Sequence, residues 1–209
     1  RLLYLSHRTG RPQAYLLDLE SGAAEPLTDA PSLHPFLVEL SPDGRWLYYV
    51  DGQELRRRQL DNGVEERLYR QPEPWTGNQV CPGYSSDFRY ALLSQMHRDD
   101  VVPRGKDWDF FQPQWAARPR CRLVLLDLET GGETVIREEA CWLGHPQIRP
   151  GDPRLLMYCH EGPSHLVDAR IWLVDAAGRH ARPLGYVEPA PGAGAGQIEC
   201  TINGLGERA

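Results

Sequence analysis

A single phrase recurs along this chain: an apolar run, an acidic residue and a tight turn closed by glycine. Tyr15-Leu-Leu-Asp-Leu-Glu-Ser-Gly returns as Val124-Leu-Leu-Asp-Leu-Glu-Thr-Gly, and Trp172-Leu-Val-Asp-Ala-Ala-Gly is a third copy. A second phrase, Ser41-Pro-Asp-Gly, returns as Ser85-Ser-Asp-Phe and Arg149-Pro-Gly-Asp, each time just ahead of an apolar strand. Short apolar or alternating runs between Gly, Pro, Asn and Asp punctuation are strands joined by hairpin turns. Asp43 and Asp87 stand 44 residues apart, within the spacing of about 40 to 45 residues that marks one blade of a β-propeller. Helical periodicity is almost absent. The repeat therefore predicts an all-β chain, a β-propeller of four-stranded antiparallel blades over approximately residues 1–30, 36–70, 80–140 and 145–187. A propeller closes with about 4 to 8 blades, so about four blades predict an open part of a larger one. Residues 188–209, beginning Glu-Pro-Ala-Pro-Gly-Ala-Gly-Ala-Gly, read as a flexible, divergent tail.

The polar chemistry concentrates between Gly144 and Val174. Two short strands, Leu155 to Cys159 and Ala169 to Asp175, enclose His160, Glu161, Gly162 and Pro163, with Arg170 at the start of the second. A guanidinium, a carboxylate and an imidazole at adjoining strand ends suit an anionic ligand, because the planar fork of Arg170 matches a carboxylate. The same Glu161, Asp168 and Arg170 also suit a structural staple of the loop, and the residues alone leave both readings open.

One segment departs from the repeat. From His97 to Pro119 the chain is rich in charge, proline and aromatics, including Trp108, Phe110, Phe111 and Trp115. So dense an aromatic connection covers either the fold's own end or a binding mouth, and apolar burial favours the former. The run Arg56-Arg57-Arg58 reads as a solvated edge strand guarded by charge.

Charge and cysteine usage narrow the function. A net charge of −6 with no basic stripe argues against nucleic acid as a partner. No apolar span has membrane length, which predicts no membrane association. Five cysteines, at positions 81, 121, 141, 159 and 200, with no CxxC spacing, predict reduced thiols and lean towards the cytoplasm. The opening at Arg1 and the unpaired last blade predict incompleteness at both termini and association through an open propeller edge.

Specific motifs add a resemblance. Trp142-Leu-Gly-His-Pro, Cys159-His-Glu-Gly-Pro, Leu166-Val-Asp-Ala-Arg-Ile-Trp-Leu, and Cys121-Arg-Leu followed by Asp127-Leu-Glu-Thr-Gly stand in order along the chain, after Tyr15-Leu-Leu-Asp-Leu. In these the chain resembles the oligogalacturonate lyases, seven-bladed propeller enzymes of pectin breakdown, over about half of a family member. The resemblance implies β-elimination cleavage of short galacturonides, in which neutralising the uronate carboxylate acidifies the adjacent carbon while a base removes its proton. It further implies a manganese-type divalent ion held by three His and a Gln, a His base, and an Arg on the substrate carboxylate. Carried over by motif, that Arg is Arg170, with His160, Glu161 and His145 as substrate-binding candidates. The base position falls on Ile202 of Glu199-Cys200-Thr201-Ile202, and isoleucine cannot accept a proton. The metal ligands have no counterpart, so no cofactor is expected to be retained. The chain is thus expected to be a lyase homologue, inactive alone, acting on an oligogalacturonide. The alternatives are a non-catalytic propeller module that binds acidic sugars or a protein partner and, more distantly, a TolB-like interaction propeller.

Overall fold

The computed structural model describes residues 1–77, 82–103, 108–167 and 169–184. The expected features at Cys81, Asp168, Cys200, Ile202 and the tail 188–209 lie outside them.

Four antiparallel sheets follow one another along the chain. The first has three strands: β1 (Leu2–Ser6), β2 (Gln13–Leu17) and β3 (Ala24–Pro26). The second runs β4 (Leu33–Leu40), β5 (Trp46–Asp51), β6 (Glu54–Gln59) and β7 (Glu65–Arg70), in that spatial order. In the third, β10 (Tyr90–His97), β11 (Arg120–Asp127) and β12 (Glu133–Ala140) are preceded by two short strands that both pair with β10, β8 (Trp75–Gly77) and β9 (Gly83–Tyr84). The fourth contains β13 (Leu143–Ile148), β14 (Leu155–His160), β15 (Ile171–Asp175) and β16 (Arg182–Pro183).

Strands β5, β10 and β11 are largely apolar because they are buried on both faces. In β10, Leu92 joins the core shared with the fourth sheet, while its neighbours Ala91 and Leu93 join the core shared with the second. In β5, Leu47 and Tyr49 face the first sheet and Tyr48 and Val50 the third. Three successive inter-sheet cores result, as in stacked propeller blades.

The repeated turn phrases are hydrogen-bonding devices. Ser41 Oγ donates to Asp43 Oδ1 at 2.6 Å and accepts from the Trp46 N–H at 3.0 Å; Ser85 repeats this with Asp87 at 2.7 Å and Tyr90 at 2.9 Å. The other phrase is an aspartate that accepts backbone N–H groups of its own turn, as Asp18 does from Glu20 and Ser21 and Asp127 from Glu129 and Thr130.

The structure corrects two expectations. The arginine run is not an edge: β6 lies between β5 and β7. Arg57 meets Glu66 at 2.7 Å and lies over the Trp46 ring, while on the opposite face Arg56 meets Glu54 and Arg58 meets Glu65. The third sheet opens earlier than expected, with Trp75–Gly77, and its inner edge is shared by two short strands.

Candidate functional site

The connection from β14 to β15 leaves the sheet at Glu161 and re-enters at Arg170. The His160 N–H donates to the Arg170 carbonyl at 2.8 Å, and the Glu161 N–H to the Trp142 carbonyl at 2.7 Å. Both ends of the loop are therefore pinned to backbone. Glu161 is 5% exposed. Its Oε2 accepts from Arg170 Nη1 at 3.2 Å, and Arg170 Nη2 donates to the Gly162 carbonyl at 2.5 Å. The guanidinium is held on two acceptors and remains partly exposed, its side chain at 29%.

The other carboxylate oxygen, Glu161 Oε1, is 3.3 Å from His145 Nε2 and has no hydrogen-bond partner. His145 sits where the β13–β14 register shifts, between Gly144 and Gln147, with φ of +44°. Such a bulge re-aims a side chain out of strand alternation. His145 consequently lies in the wall of a cleft of about 300 Å³, with Glu39, Tyr84 and Gln147. Burial of the Glu161 carboxylate pushes its pKa up, against the opposing pull of His145 and Arg170. Glu39 is likewise pushed up by burial.

Two glycines make this packing feasible. A Cβ at Gly144 would lie 2.4 Å from Glu161 Oε1, and one at Gly162, where φ is +145°, would lie 2.3 Å from Trp115 Cδ1. Trp115 belongs to α1 (Phe111–Ala116), inside the aromatic insertion. The insertion also packs Phe111 against Trp142 with ring centroids 4.9 Å apart. It therefore covers the end of the fourth sheet beside Arg170, the first of the two roles that its composition left open.

Of the four site residues read from the sequence, Glu161, Arg170 and His145 converge. His160 points elsewhere, because alternation along β14 turns residues 158 and 160 towards the third sheet. Its ring stacks on Trp172 at 4.7 Å, and its Nε2 is 3.1 Å from Glu139 Oε2, an ion-pair contact out of line for a hydrogen bond. Burial alone would push its pKa down, yet the Cys141 thiol and the Glu139 carboxylate outweigh burial and raise it to about 9. Glu139, Trp172, Gly144 and Trp115 were not singled out as site residues from the sequence; the Trp-Leu-Gly-His-Pro and Val-Asp-Ala-Arg-Ile-Trp motifs held two of them in plain view.

Among the described residues, no group of three or more His, Cys, Asp or Glu is placed to hold a metal ion, so these residues do not fit a manganese site. None of the helices described is long and apolar enough to cross a membrane. Cys121, Cys141 and Cys159 are free thiols.

The sequence pattern that defines oligogalacturonate lyases matches residues 1–197. The chain is 38% identical over 193 residues to the oligogalacturonate lyase of Dickeya dadantii, covering 92% of this chain and 49% of that protein. Among solved structures, an oligogalacturonate lyase in complex with manganese superposes with a TM-score of 0.83 at 39% identity, over 87% of this chain and 48% of the other. A TolB protein from Agrobacterium tumefaciens, at 18% identity and a TM-score of 0.55, shares the fold alone. The chain spans about half the length of the curated relatives it matches.

Proposed function

The chain belongs to the oligogalacturonate lyase family, and we propose from this that it carries the uronate-recognising part of a lyase that cleaves short galacturonides by β-elimination in pectin breakdown. The observation that carries the reading is the cradle of Arg170: a permanently charged fork held on Glu161 Oε2 and the Gly162 carbonyl, at the mouth of the β14–β15 connection. Held this way, Arg170 meets the substrate carboxylate and withdraws charge from it, which acidifies the neighbouring C–H bond. Glu161 fixes the guanidinium, and His145 extends the cleft wall along the sugar chain. His160 supports this arrangement from behind, through its stack on Trp172 in β15.

A second reading rests on Ile202, which stands where the family motif carries its base. On that reading the chain alone captures galacturonides without turning them over, and association through its open sheet edges supplies the remaining groups. The free thiols fit a reducing cytoplasm.

Digalacturonate incubated with this chain and manganese separates the two. Binding that requires Arg170, with no rise in ultraviolet absorbance from unsaturated product, supports carboxylate capture by this chain alone. Turnover by this chain shows that base and metal site lie outside the matched motifs. Absence of binding overturns the uronate reading itself.

A further inference from the structure

The aromatic insertion touches the Arg170 cradle directly at Gly162 and its neighbour Trp142 at a second point. Trp115 lies against the Gly162 backbone so closely that no side chain fits between them, and the Gly162 carbonyl is what Arg170 Nη2 grips. Phe111 packs on Trp142, whose carbonyl accepts the Glu161 N–H. One acceptor, Gly162, is thus backed directly by Trp115, while Phe111 reaches the other only indirectly, through Trp142 and the Glu161 backbone.

That segment is built to hold its position. Gln114, 3% exposed, donates through Nε2 to the Asp100 carbonyl at 2.9 Å and accepts the Val102 N–H at 2.9 Å. Asp100 takes a two-pronged contact from Arg120, at 2.8 and 3.0 Å. A short helix on its own is marginal in water, and the Gln114 bonds fasten this one to the start of the insertion, which Arg120 ties in turn to β11. Trp115, next to Gln114, is then a wedge of fixed depth.

We infer that Trp115 is a positioning residue for Arg170, acting through Gly162: the insertion sets the height of the Gly162 carbonyl and hence the angle at which the guanidinium fork meets a carboxylate. The inference rests on the reading of Arg170 as the uronate contact. Its physical basis is that a two-pronged ion pair loses most of its advantage when the fork is tilted, and displacements of about 1 Å at such contacts have large effects. In the absence of Trp115, Gly162, at a φ open to glycine, is free to move.

The test compares Trp115→Ala, Trp115→Phe and the unaltered chain by calorimetric titration with digalacturonate and with its methyl ester. Trp115→Ala is expected to reduce the preference for acid over ester by about tenfold, and Trp115→Phe to restore most of it. A merely structural role would lower the melting temperature and leave that preference unchanged, which overturns the inference. Nuclear magnetic resonance of the Arg170 Nη–H protons, which are bonded to Glu161 and Gly162, provides a readout without ligand: a sharp, slowly exchanging signal in the unaltered chain and in Trp115→Phe, lost in Trp115→Ala. If that signal is the same in all three, Trp115 does not position Arg170. If the unaltered chain itself fails to prefer acid over ester, the uronate reading fails, and the resonance alone decides whether Trp115 sets the guanidinium.

Discussion

Glu161 and Arg170 close the β14–β15 connection on themselves: Arg170 Nη1 is 3.2 Å from Glu161 Oε2, and the carboxylate is almost wholly buried beneath the guanidinium. Removing Glu161 leaves the guanidinium without its carboxylate, and removing Arg170 leaves the buried carboxylate with the neighbouring His145 imidazole.

Arg170→Ala is therefore expected to destabilise the fold by roughly 3 kcal/mol, as loss of one member of a buried pair does. The double variant Arg170→Ala/Glu161→Gln should recover part of the loss, since the stranded charge goes with it. A double-mutant cycle by urea denaturation checks this; strictly additive effects would show the two groups uncoupled.

Gly144→Ala places a methyl group 2.4 Å from Glu161 Oε1. The carboxylate has to shift, and overpacking of this kind destabilises by about 1 to 3 kcal/mol. The expected signature is a lowered melting temperature together with weakened galacturonate binding. Unchanged binding would show that the position of Glu161 does not govern Arg170.

His160 gives the fold a pH dependence of definite sign. Its pKa rises from 6.5 to about 9 on folding, because the Cys141 thiol and Glu139 outweigh burial. The folded state thus holds a proton that the unfolded chain releases, so this contribution is complete below pH 6.5 and is lost as pH climbs to about 9. It amounts to about 3 kcal/mol at most. Denaturation midpoints should fall across that window, and His160→Gln should flatten the profile there. An undiminished slope in the variant would assign the effect to another group.

A polar chain, buried at Arg122 and Gln95 and reaching the surface at Glu133, joins the third sheet to the second. Arg122 Nε donates to Gln95 Oε1 at 2.7 Å, Gln95 Nε2 to the Tyr69 hydroxyl at 3.1 Å, and that hydroxyl to Glu133 Oε2 at 2.8 Å. Arg122 also lies over the Trp75 ring at 4.5 Å. Gln95→Leu removes the acceptor of a buried guanidinium and should destabilise by about 2 kcal/mol or more. Chemical denaturation measures this, and a loss below the error of the fit would show that water replaces the glutamine.

The fold was legible in the sequence because its signals are local. Ser41 with Asp43, and Asp18 with the amides after it, bond within their own turns, so the residues that punctuate the sequence also make the turns. Arg56, Arg57 and Arg58 were misread for the opposite reason. Their partners Glu65 and Glu66 lie on β7, and Trp46 lies on β5, so a strand that looks solvated becomes an inner strand once its neighbours are in register. At the site, Arg170 and Glu161 stood out by chemistry and motif. The separation of His160 from Glu161 was in principle available from strand alternation. The contact of Trp115 with Gly162 was not, since it joins a helix inserted in the third sheet to a connection of the fourth and depends on the depth to which the insertion packs.

The most direct measurement is a calorimetric titration of this chain and of Arg170→Gln with digalacturonate and its methyl ester. The cradle predicts that the chain binds the acid at least about tenfold more tightly than the ester, the scale of one charge-assisted pair, and that Arg170→Gln abolishes the difference. Equal binding of acid and ester by the unaltered chain, or a preference that survives in Arg170→Gln, would contradict the account.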